Sequence, residues 1–241
     1  MKNIIIILAL LSVTTIYSQS FDEVFTKFSK TKKETEEYQV NLDYKLYKGV
    51  KGTRVYENYS GMMAIHNGTK YQEVGAMKHI EMPNGFIKLN TEEKAMMVGL
   101  SSVSAYPSLE EIDPNLIYTY YNKGEFEEKD GLFKISFNAK EYSSLQTSRM
   151  EIHIDKKTFH QKKVVIYYSV LKDFSFYDEN HLKNKTDESV DFPRLEISYS
   201  EYKSEVQINK SFFLQDSYIE VTPSKIVGVN QYKDFEIILA Q

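Results

Sequence analysis

The 241-residue chain contains no cysteine and no tryptophan. Without thiols there is no disulfide, no thiolate metal ligand and no thiol nucleophile, so stability has to come from burial. The missing cysteine also excludes attachment of lipid at a thiol after an export signal. A basic excess is lacking as well. Thirty basic residues stand against 34 acidic ones, for a net charge of −4. Nucleic acid is therefore an unsuitable partner, because phosphate binding needs a basic surface. Long apolar runs are absent too: Ile4 to Val13 is an apolar stretch far short of the roughly 20 residues that span a bilayer. No H-E-x-x-H, G-x-S-x-G, Walker loop or G-x-G-x-x-G occurs, so the usual metal, nucleophile, phosphate and cofactor signatures are missing and no cofactor is expected.

What is present begins with a leader. Met1-Lys2-Asn3 supplies a short positive flank, Ile4 to Val13 an apolar core, and Thr14, Thr15, Ser18 and Ser20 a small polar exit. This is the pattern of a cleavable secretion signal, with residues 1–19 removed and residues 20–241 left as a single β domain. The expected location is the periplasm, with the cell exterior as the alternative. Nineteen Tyr and 14 Phe favour strands over helices.

Phe21, Val24, Phe25 and Phe28 recur at i, i+3, i+4 and i+7, which predicts an amphipathic helix from Phe21 towards Glu37, lying on a sheet. At Tyr38 the period becomes two. Val40, Leu42, Tyr44 and Leu46 form one face of a first strand, and Val55, Tyr59, Met63 and Ile65 one face of a second. Asn67-Gly68 is a strong hairpin signal, since both residues tolerate positive φ, and Tyr71–Met82 is read as the antiparallel partner. Further strands are expected at 86–89, 94–98, 132–138, 149–154, 162–170, 194–202, 218–221 and 235–239. Residues 99–123 read as a loop insertion with one or two short helical turns, and 173–191 as a long exposed loop.

Candidate chemistry is sparse. The histidines His66, His79, His153, His160 and His181 form no helical metal pair, and no metal site is assigned. Adjacent carboxylates such as Glu92-Glu93 and Glu127-Glu128 point to opposite faces of a strand and cannot act as a dyad. A hydrolase of envelope polymers would need Glu73, Glu81 or Asp155 to converge in a cleft. An interaction module would use an edge strand or the 173–191 loop. The more informative feature is a sheet face rich in Met and aromatics. Met suits adaptable apolar binding surfaces. Tyr44, Tyr59, Met63, Ile65, Met77, Met96, Ile152, Ile154, Ile197 and Tyr199 are the expected lining of an apolar cavity on the inside of a curved sheet.

Two segments carry a family resemblance. Ile154-Asp155-Lys156-Lys157-Thr158 joins the Met150–Ile154 run to Lys162–Tyr168. Leu195–Tyr202 is followed by Val206–Phe213. Both resemble the LolA-type family of outer-membrane lipoprotein carriers. That resemblance implies an incomplete β-barrel, a strongly curved antiparallel sheet with the N-terminal helix and a short helical insertion on its concave side. It also implies a non-catalytic function, with an apolar partner such as acyl chains or a lipoprotein and possible contacts with envelope proteins. The 173–191 loop and the extension from Pro223 to Gln241 depart from the family pattern.

Overall fold

The computed structural model describes residues 19–34, 37–99, 114–141, 145–178, 187–204 and 209–240. The expected leader, most of the 99–123 insertion and the His181 region of the 173–191 loop lie outside the described residues.

Helix α1 spans Phe21–Glu34. It starts with a reciprocal capping box: the Glu23 N–H donates to Ser20 Oγ (3.3 Å) and the Ser20 N–H to Glu23 Oε2 (3.1 Å). Asp22 and Glu23 in the first turn suit the helix dipole. The predicted stripe is buried: Val24, Phe25 and Phe28 pack on the sheet, with the Phe25 ring 5.4 Å from Phe137 and 5.9 Å from Tyr118. Tyr118 belongs to the short α2, Pro114–Tyr120, the expected helical turn of the insertion.

The structure is mainly β and is built on one large curved sheet that does not close into a barrel. Strands β1 (Tyr38–Lys48), β2 (Val55–His66), β3 (Thr69–Val74), β4 (Met77–Met82), β5 (Gly85–Asn90) and β6 (Ala95–Gly99) form a meander. A second meander is β7 (Tyr121–Lys129), β8 (Leu132–Ala139), β9 (Thr147–Asp155) and β10 (Gln161–Tyr168). The small pairs β11 (Lys172–Asp173) with β12 (Val190–Asp191), and β14 (Ile219–Val221) with β15 (Ile226–Gly228), stand apart. Strand β13 (Pro193–Lys203) inserts between β10 and β1 and joins the two meanders, while β16 (Glu236–Leu239) adds to β6 in the parallel sense. The order is β16-β6-β5-β4-β3-β2-β1-β13-β10-β9-β8-β7.

Several expectations need correction. The run Tyr71–Met82 is two strands, because Gly75 takes φ +55 and reverses the chain between Val74 and its partner Met77. Residues 121–129 form edge strand β7, where the charged run Glu125–Lys129 obscured the alternation. Val55 does not share the face of Tyr59. A bulge puts Leu46 opposite Glu57 but Tyr47 opposite Val55, so Tyr56 is extra and the alternation inverts. The described part of 173–191 is anchored: Phe174 is buried with its ring 4.7 Å from Tyr56. At the Asn67-Gly68 turn both residues have positive φ (49° and 74°), as expected.

The sheet buries different faces in its two halves. Met63 packs into the cluster under α1 with Val40, Leu42, Ile135, Phe137 and Ile152. Its neighbour Ala64 packs into a second cluster with Tyr71, Ile80, Ile87 and Met96. Adjacent strand residues point to opposite faces, so the clusters lie on opposite sides. The first is covered by α1. The second is covered by the chain after β13, through Phe213, Tyr218, Ile219 and Tyr232.

Candidate functional site

Most of the expected cavity lining is core. Met63, Ile152, Ile154, Ile197 and Tyr199 are buried beneath α1, and Ile65 packs against the same cluster. Met96 lies on the opposite face under the C-terminal segment, because its partners Leu89 and Ile237 belong to that side. These residues do not come together around one cavity. Phe25 and Phe28 of α1 belong to the cluster beneath that helix, and Phe21 packs against it.

Tyr44 and Tyr59 do come together. They are cross-strand partners on the face that α1 covers, toward the end of the sheet opposite Tyr38. With Leu46, Val74, Tyr168, Val170, Leu171 and Leu195 they wall an open groove of about 410 Å³. Its apolar walls are accessible: Tyr59 is 50% exposed, Val170 48% and Leu171 57%. Their pairing opposite Leu46 and Tyr44 puts Glu57 and Tyr59 on the groove side. Gln72 Nε2 donates to the Tyr44 hydroxyl at 2.9 Å and holds that ring from β3. Val74 also lines a separate depression of about 260 Å³ that contains Met77, which is 49% exposed, beside Gln72, Lys78, His79 and Lys88.

Glu57, Lys172 and Gln146 are the polar residues in the groove wall besides its tyrosines. Glu57 accepts hydrogen bonds from Lys172 Nζ at 2.9 Å and from the Tyr177 hydroxyl. Burial would push its carboxyl up, but the hydrogen bonds from Tyr177 and Lys172 outweigh burial and hold it below the usual range. Lys172, by the same contacts, is raised against burial that would lower it. Tyr177 in turn packs on Tyr56 at 5.4 Å, so the pair fixes the 172–177 segment along one side of the groove. The groove thus combines an apolar floor with a charged pair in its wall. Its apolar walls come from β1, β2, β3, β13, the end of β10 and the residues following it. Sequence reading missed Val74, Val170, Leu171, Leu195 and the Glu57–Lys172 pair. The only local signal was the apolar pair Val170-Leu171 persisting past the end of a strand.

The hydrolase carboxylates do not converge. Glu73 shares a face with Tyr71, whose hydroxyl donates to it at 2.5 Å, while Glu81 pairs opposite Lys70 on the other face. Asp155 lies on β9, several strands away, and its carboxylate accepts the backbone N–H groups of Lys157 and Thr158, each at 2.9 Å. Those bonds, the Thr158 one foremost, hold it below the usual range. The role of this Asp and Thr is to close the β9–β10 turn. Among the described residues no three His, Asp or Glu side chains gather as a metal site, and no helix is long and apolar enough to cross a membrane.

No family model matches the chain, and no curated protein matches it. Similar solved structures include an uncharacterized conserved protein from Thermus thermophilus, 9% identical, with a TM-score of 0.49 over 92% of this chain and 100% of that one. A putative outer membrane lipoprotein-sorting protein domain from Vibrio parahaemolyticus is 11% identical, with a TM-score of 0.34 over 80% of this chain and 96% of that one. A LolA superfamily protein from Nitrosomonas europaea is 10% identical, with a TM-score of 0.36 over 83% of this chain and 99% of that one.

Proposed function

We propose that residues 20–241, exported to the periplasm as one domain after removal of the leader, form a non-catalytic binding protein whose groove takes an acyl chain or a similar apolar ligand. The observation that carries this reading is the open groove of about 410 Å³ with exposed Tyr59, Val170 and Leu171 on its walls. Its volume lies in the range of ligand sites, about 300–1,000 Å³. Apolar side chains left half exposed around a concavity mark a surface that something apolar covers. Burying about ten methylenes gains about 8 kcal/mol before the costs of immobilisation. The resemblance of the Ile154–Thr158 turn and the Leu195–Phe213 run to LolA-type carriers favours the same class of ligand, with a lipidated protein as the larger cargo.

The test is titration with a dansyl-labelled fatty acid, together with native mass spectrometry of protein taken from an envelope extract. Saturable binding that Leu171→Glu weakens about tenfold or more, with an unchanged melting temperature, supports the proposal, because that substitution places a charge in the groove at a half-exposed position. Absence of probe binding together with absence of co-purifying acyl species overturns it.

A further inference from the structure

A second concavity, of about 290 Å³, lies at the other end of the same face. It sits about 27 Å from the groove along β1, eight residues at strand rise from Tyr38 to Leu46. Its walls include the rings of Tyr38, Phe159, His160 and Tyr202, with Thr31 of α1 beside them. The His160 and Tyr202 rings stack at 4.4 Å.

The decisive residue is Gln161. It lines this pocket, is 2% exposed, and both its side-chain oxygen and nitrogen are buried with no hydrogen-bond partner among the described residues. Its strand partner Ile154 belongs to the cluster under α1, so the amide stands on the apolar face of the sheet. An unpaired buried amide costs about 1–3 kcal/mol, and a position that needed only packing would be filled by Leu or Met.

The backbone around the pocket is also set up to present rings. Strict alternation from Tyr199 would turn Tyr202 away from this face. An extra residue in β13, Glu201 at φ +52, puts Ser200 opposite Asn41 but Lys203 opposite Gln39, and so returns Tyr202 to the face of Tyr38. Bulges of this kind re-aim side chains beside binding sites. Phe159 also holds positive φ (56°), which is costly for a bulky residue. Among the described lining residues the one carrying a fixed charge, Lys203, is half exposed. Burial and then Lys162 press the His160 imidazole towards its neutral form.

We propose that this pocket binds a small, neutral, flat ring carrying a carboxamide or lactam group. The ring would pack among Phe159, His160 and Tyr202 while the Gln161 amide exchanges one N–H and one C=O bond with it. A primary carboxamide or lactam edge offers a donor and an acceptor side by side, which is the complement of a glutamine amide. This site is separate from the acyl groove and does not depend on it.

The experiment uses the mature chain with nicotinamide and uracil as probes, followed by ligand-observed NMR and by tyrosine emission, which no tryptophan masks. The comparison compound is 3-acetylpyridine, which keeps ring and carbonyl but lacks the N–H. Both probes should bind, 3-acetylpyridine about tenfold more weakly, and Gln161→Met should lose about tenfold or more in affinity for the amides while melting no lower than the parent. His160→Ala should weaken all three compounds, and Leu171→Glu, in the acyl groove, should leave them unchanged. The proposal is overturned by absence of binding of either amide at millimolar concentration, or by binding that Gln161→Met leaves intact. If the Met variant does not fold, equal binding of 3-acetylpyridine and nicotinamide by the parent chain overturns it by itself.

Discussion

Glu151 sits on β9 with its side chain 6% exposed, among Arg149 Nη2 at 2.9 Å, Lys134 Nζ at 3.2 Å, His153 Nε2 at 3.6 Å and the Tyr167 hydroxyl at 3.3 Å. Burial alone would raise its carboxyl, yet the contacts with His153, Lys134 and Arg149 outweigh it and hold the pKa at about 2, against an ordinary 4.5. At 1.36 kcal/mol per unit that depression amounts to about 3 kcal/mol of stability. A depressed carboxylate contributes stability that is present above the unfolded pKa and lost as pH falls through the folded one. Urea denaturation of the parent and of Glu151→Gln should therefore show the widest gap near pH 7, unchanged down to about pH 5, then shrinking by about 1.4 kcal/mol per pH unit below about pH 4. The Gln variant keeps the shape and leaves Lys134 and Arg149 short of a countercharge, so the diagnostic is the slope rather than the gap itself. A gap that stays constant on acidification, or widens, would refute the assignment of this charge network to stability.

Three further outcomes are expected. Phe25→Ala, at a residue 3% exposed against Phe137 and Tyr118, should cost about 3–5 kcal/mol in chemical denaturation and loosen α1 in hydrogen exchange. Arg194 is 8% exposed and donates to the carbonyls of Gly49 (3.2 Å), Val50 and Gly52 (2.9 Å), so Arg194→Ala should cost about 2–4 kcal/mol and raise proteolysis at the β1–β2 turn. A melting temperature within error of the parent would contradict that clamp. Gly68→Val, which forces a β-branched residue to φ +74, should lower stability by about 1–2 kcal/mol, read from the urea midpoint.

Much of the local structure was legible because it is written in short-range spacing. The stripe Phe21-Val24-Phe25-Phe28 has helical period, the Ser20-x-x-Glu23 box starts that helix, and Val40-Leu42 has the period of a strand. Breaks in period were harder to read. The Tyr56 and Glu201 bulges each add one residue and exchange the two faces beyond them, with no composition signal at either place. Gly75 was the one visible sign that Tyr71–Met82 turns back on itself. The candidate groove was legible only through Tyr44 and Tyr59. Leu171 and Lys172 reach it from more than 110 positions away, and nothing in spacing links them.

The sequence by itself determined a cysteine-free chain with a leader-like start, an amphipathic first helix and strands whose apolar residues alternate. Period reports that a strand has an apolar face. It does not report which side of the sheet that face joins. Only the tertiary structure decided that Met63 and Ala64, adjacent in the chain, belong to separate cores on opposite sides. The same pairing placed Met96 and Tyr44 on different sides of one sheet. It also packed α1 on the face expected to line a cavity, with concavities of about 410 and 290 Å³ toward the two ends of that face. The physical reason is that burial of a face depends on what covers it, and here the covers are α1, which packs on strands as distant as β8 and β9 as well as on β1, and the chain beyond β13.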